Sequence, residues 1–68
     1  MRAIKPDEIK QARDGLGMSQ AEFARAFRLS VRSVQKWELQ GIPGGPAAVL
    51  MWLIIKLPRQ AAKALRDF

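Results

Sequence analysis

The 68-residue sequence predicts an all-α domain of five short helices. Three observations carry this. Helix-start signals recur around Lys5, Ser19 and Ser30, the last two separated by one short helix. The connection between the second and third helices is only about three residues long. A glycine–proline cluster, Gly41-Ile42-Pro43-Gly44-Gly45-Pro46, then sets off a strongly apolar run.

The first helix is predicted over about 6 to 14. Pro6 suits a first helical position, and Asp7 and Glu8 suit the positive end of the helix dipole. With Lys5 as N-cap, Ile4 and Ile9 take the two positions of a hydrophobic staple, and Gly15 or Gly17 ends the helix. The second start is a capping box, Ser19-Gln20-Ala21-Glu22, stapled by Met18 and Phe23; Ala24 and Phe27 extend it to about 27. Ser30 caps the third helix, with Leu29 and Val34 as staple and Trp37 continuing the inward stripe to about 39. Arg28 to Ser30 is the length of a tight helix-turn-helix connection, placing that motif at about 20–39.

Pro46 opens a fourth helix from about 46 to 57. Its segment Ala47 to Ile55 is apolar on every side, where a surface helix shows a stripe. One face is therefore expected on the domain's own core and another on a second copy. Pro58 breaks or restarts the chain, and Gln60 to Phe68 reads as a last short helix with Ala61, Ala62, Leu65 and Phe68 on one side.

Composition narrows function. Twelve Lys and Arg against six Asp and Glu give a net charge of +6, while 49% apolar and 26% charged residues are ordinary for a folded chain. The sequence holds no cysteine, histidine or tyrosine, which excludes disulfides, zinc-finger sites and most catalytic dyads and triads. No enzyme, metal or cofactor is expected. No signal peptide is visible, and the nine-residue apolar run is short of the about 20 residues that span a membrane, so a cytoplasmic, membrane-free domain is expected. A chain this small buries only about 60% of its unfolded surface. With disulfides and metals gone, oligomerisation is the remaining staple, and a homodimer is expected.

The residues also resemble a known family. Leu16-Gly17-Met18-Ser19-Gln20-Ala21-Glu22-Phe23-Ala24, followed by Leu29-Ser30-Val31-Arg32-Ser33-Val34-Gln35-Lys36-Trp37-Glu38, is similar to the Cro/repressor type, the XRE family of bacterial regulators. Pro43-Gly44-Gly45-Pro46-Ala47-Ala48-Val49-Leu50 resembles its stand-alone forms, HigA-type antitoxins and phage operon autorepressors. The likeness spans about residues 7 to 55. It implies a five-helix, lambda-repressor-like DNA-binding domain whose third helix enters the major groove. Val31, Arg32 and Lys36 then match base-facing positions, with Gln35 a weaker one. Gln20 matches a residue that touches the phosphate backbone and braces the reading helix; Ser30 and Ser33 lie at the margin. Arg13 and Glu38 match a structural ion pair.

Physical chemistry supports the same face. Arg32 and Lys36 are four residues apart, away from the core-directed Val34 and Trp37. Arginine offers a bidentate fork to guanine, and Val31 a methyl contact to thymine. Arg25, Arg28, Arg32 and Lys36 would make a plain solvated basic stripe on one continuous helix, but the turn divides them; Arg25 and Arg28 are candidate backbone contacts. Trp37 and Trp52 read as core residues, with base stacking the lesser alternative.

Two departures from the family matter. Arg28 stands where the family usually carries a left-handed glycine, a cost of roughly 1 kcal/mol, so either the turn differs or a contact of Arg28 with phosphate offsets the strain. Leu39-Gln40-Gly41-Ile42-Pro43 lacks the basic residue with which many relatives touch the backbone.

The sequence-level reading is a single domain over 1–68, a homodimeric transcriptional repressor of its own operon that binds a palindromic operator in double-stranded DNA. Dimerisation is assigned to about 46–67, through Leu50, Met51, Trp52, Ile54, Ile55, Leu65 and Phe68. Two alternatives stand beside it: an antitoxin with a toxin or other protein partner, and a general nucleic-acid or RNA-binding module.

Overall fold

The computed structural model describes residues 2–67. The chain forms α1 (Pro6–Gly15), α2 (Gln20–Ala26), α3 (Val31–Gln40), α4 (Gly45–Lys56) and α5 (Pro58–Arg66). Among the described residues the only β pairing is an isolated bridge between Ile4 and Ile42.

The local signals act where the sequence places them. The Ser19 hydroxyl accepts from the Glu22 amide at 3.1 Å, and the Glu22 carboxylate accepts from the Ser19 amide at 2.8 Å. Ser30 likewise accepts from the Ser33 amide at 3.0 Å. At α1 the Glu8 carboxylate accepts from the Lys5 amide at 3.0 Å. The staple residues Ile4, Ile9, Phe23 and Val34 are fully buried, with Met18 and Leu29 packed against them. Phe27, Ile42, Ala48, Met51 and Ile54 complete the core that joins the motif to α4.

Three expectations are corrected. α5 begins at Pro58 itself rather than at Gln60, because proline's fixed φ suits a first helical position and needs no amide partner. Met51 and Ile54 are enclosed in the chain's own core, so neither can meet a second copy. Trp37 and Trp52 pack at the margin of the core, half-buried, and the Trp52 ring lies between the Arg2 guanidinium, 4.5 Å from its centroid, and the Lys56 ammonium at 5.0 Å.

Leu50, Ile55 and Leu65 are half-buried against the core, and Phe68 lies outside the described residues. The apolar surface that α4 leaves open is another stripe: Val49, Leu53 and, at the helix end, Leu57, each four residues from the next and about half exposed.

Candidate nucleic-acid interface

α3 is held by a buried ion pair. Glu38, 4% exposed, turns inward from the last part of α3. Arg13 of α1 donates from Nε to its Oε2 at 2.7 Å and from Nη2 to its Oε1 at 2.9 Å. The remaining Nη1 donates to the Met18 carbonyl at 3.0 Å, and Gln20 Nε2 adds a third donor to Glu38 at 3.2 Å. The Glu38 carboxylate thus joins α3 to α1 and the start of α2, and Arg13 ties in the α1–α2 loop. Arg13's hydrogen bonds hold the Glu38 carboxyl below the ordinary carboxylate range, and Glu38 in turn raises Arg13. Buried charges are tolerated when paired and hydrogen-bonded in this way.

With Val34 and Glu38 facing in, the opposite side of α3 is open. Val31, Arg32, Gln35 and Lys36 are all exposed, and their side chains make no hydrogen bond or ion pair among the described residues. Leu39, 80% exposed, and Gln40 extend this face by another turn. The sequence reading passed over Leu39, although its spacing of three from Lys36 and seven from Arg32 places it there. Lys36 and Gln40 also border a hollow of about 540 Å³ closed by Lys5, Pro6 and Pro43.

The other candidate residues divide. Arg25 is exposed and free of side-chain hydrogen bonds among the described residues. Ser30 and Ser33 sit at the start of α3, their hydroxyls 2.8 Å apart. Gln20 is half-buried and committed to Glu38. Arg28 keeps the left-handed conformation, φ 57°, that the turn requires. Its Nε donates to the Leu65 carbonyl at 3.2 Å, so the partner that offsets the strain inside the chain is the last turn of α5. The loop after α3 is drawn inward: Gly41 and Ile42 are buried, and Ile42 exchanges two 2.9 Å backbone hydrogen bonds with Ile4. This accounts for a loop without a basic residue, since it packs instead of reaching outward.

A capped, rigid helix with an open polar face, braced by a shorter helix across a tight turn, is the geometry of a helix-turn-helix reader. The family model described as Helix-turn-helix matches residues 9–51. The chain belongs to the helix-turn-helix family, XRE type. It is 38% identical over 56 residues to Antitoxin HigA-2 of Vibrio cholerae serotype O1 (strain ATCC 39315 / El Tor Inaba N16961), covering 81% of this chain and 54% of that protein. The chain thus spans about half the length of this curated relative. The fold is all-α and lambda-repressor-like. Among the described residues no helix is long and apolar enough to cross a membrane.

Proposed function

We propose that the protein is a sequence-specific regulator that binds an inverted repeat in duplex DNA as a homodimer and represses its own operon. It acts by binding and without catalysis, in the cytoplasm. The observation that carries this reading is the α3 face, where Val31, Arg32, Gln35 and Lys36 stand exposed and unpaired on a helix fixed from behind by Glu38. Arg32 supplies a fork suited to guanine O6 and N7, and Val31 a methyl surface suited to thymine. Arg25, with Ser30 and Ser33 at the helix start, positions the domain on phosphates; Gln20 braces α3 at the same margin.

The Val49, Leu53 and Leu57 stripe supports the dimer, since an open apolar row on a small domain seeks cover. Leu50, Trp52 and Ile55 border the core on the same helix and contribute their exposed edges. Two readers so joined would meet successive major grooves about 34–36 Å apart.

A second reading is favoured by the likeness to Antitoxin HigA-2: a toxin partner, with autoregulation through the same α3 face. A gel-shift titration on the DNA upstream of the gene, against a scrambled duplex at two salt concentrations, tests the main proposal. Preference for the upstream DNA at both salts supports it. Equal binding to both duplexes refutes specific regulation and leaves the general nucleic-acid binder.

A further inference from the structure

The cations outside α3 fall into a second group. From Arg25 to Arg66 every exposed charged side chain is positive: Arg25, Arg28, Arg32, Lys36, Lys56, Arg59, Lys63 and Arg66. The only acid in that span, Glu38, is buried against Arg13. Three of these cations belong to α5, whose nine residues contain no acid. Arg59, Lys63 and Arg66 are spaced by four and three, so at about 100° per residue they share one side of the helix within roughly a 60° arc. A helix face that merely meets water usually mixes the two signs. Like charges three and four apart repel, and the one acid near them among the described residues is Asp67, exposed just past the end of α5 and four residues from Lys63.

Their position gives the row a direction. The Arg28–Leu65 hydrogen bond fastens the last turn of α5 to the turn of the helix-turn-helix, three residues before α3 begins. α2 and α5 pack on one another, which sets α5 against the first helix of the motif. The apolar side chains of α5 (Ala61, Ala62, Leu65) are taken up by the core, so the cations are not needed to cover it. From Arg59 to Arg66 the helix rises about 10 Å. That matches about three phosphates along one DNA strand, at about 3.4 Å each.

We propose that Arg59, Lys63 and Arg66 form a second DNA-backbone surface, holding phosphates that flank the stretch read by α3. This rests on the DNA-binding reading above and adds to it a sequence-independent clamp. It also assigns the outer side of α5 to DNA and leaves the two-fold contact to α4.

The test is the salt dependence of binding by the full chain to the upstream duplex and to a scrambled duplex. The variant Arg59→Gln/Lys63→Gln/Arg66→Gln is compared with the unaltered protein and with Arg59→Lys/Arg66→Lys, which keeps the charge. All three cations are exposed and form no ion pair among the described residues, and a thermal melt of each variant verifies folding. The expected result for the glutamine variant is a fall in the magnitude of the slope of log K against log[salt] of about 2–3 per bound protomer, about 5 for the dimer. Affinity should drop equally on both duplexes, with the lysine variant close to the unaltered protein. An unchanged slope in the glutamine variant overturns the proposal. So does an equal loss in the lysine variant, or a loss confined to single-stranded RNA or to an acidic protein. Failure of the unaltered protein to bind any duplex would instead overturn the DNA-binding reading itself.

Discussion

Arg13 and Glu38 form a two-pronged ion pair, 2.7 and 2.9 Å, that fastens α3 to α1 on the side away from its open face. The carboxylate is almost wholly enclosed and takes a third hydrogen bond from Gln20. Removing one member would leave the other charge buried without its partner, the costly way to break such a pair.

Arg13→Met should therefore destabilise the domain by about 3–5 kcal/mol. For a domain of this size that lowers Tm by about 12 °C or more. Glu38→Gln should cost less, because the amide still accepts one hydrogen bond. Thermal melts of the two single variants and the double variant give the coupling directly. A coupling near zero would mean the pair does not hold α3.

Acid should act through three depressed carboxyls, Glu8, Glu38 and Glu22, the last lowered by the hydrogen bond from the Ser19 amide. Glu8 is held down to about 2 from an ordinary 4.5, first by the Arg2 guanidinium and then by the Lys5 amide. Glu38 is lowered by Arg13. A group whose folded pKa is depressed contributes stability above its unfolded pKa and loses it as pH falls through the folded value. The unaltered protein should thus lose stability from about pH 4.5 downward. Arg2→Ala, less stable at neutral pH, should show a shallower decline and approach the unaltered protein near pH 2. Tm measured from pH 6 to 2 tests this, and parallel curves would contradict it.

Gly41 has a role that no other residue fills. Its φ is +76°, and a Cβ there would lie 2.6 Å from the Ile4 carbonyl oxygen, inside the bridge that ties the first residues to the end of α3. Gly41→Ala should cost more than the roughly 1–2 kcal/mol of the left-handed backbone alone, because the bridge must also shift. Hydrogen exchange at the Ile4 and Ile42 amides should rise with the fall in Tm. Unchanged protection would show that the approach is not tight.

The dimer is best probed on the open stripe of α4. Leu53→Lys should leave the fold intact and shift sedimentation at micromolar concentration toward the monomer. Trp52→Lys is a poorer probe, since Trp52 packs on the core between Arg2 and Lys56 and its loss disturbs the monomer. A Leu53→Lys variant that sediments like the unaltered protein would refute the α4 contact.

Much of this architecture is written locally. Ser19, Glu22 and Ser30 declare their helix starts by hydrogen bonds within three residues. Pro6 and Pro58 open helices, and the Arg13–Glu38 pair follows from the family pattern. What stayed hidden depends on contacts across the chain. Nothing near Arg28 announces that it reaches the Leu65 carbonyl, 37 residues away. An apolar run such as Ala47 to Ile55 says only that several sides are buried. That Met51 and Ile54 turn inward while Val49 and Leu53 stay open is decided by where α1 and α5 press on α4. Leu39 was missed because it reads as part of the loop before Gly41, whereas α3 runs on to Gln40 and the rotation set by Val34 and Glu38 leaves Leu39 outside.

The most direct measurement of the central claim is a single-base substitution scan of the bound upstream duplex with the unaltered protein and Arg32→Ala. The account predicts that Arg32→Ala weakens binding by about 1–3 kcal/mol and loses discrimination at one base pair per half-site while keeping it elsewhere. Uniform weakening across all substitutions, with every base preference intact, would contradict the assignment of the α3 face as the reader.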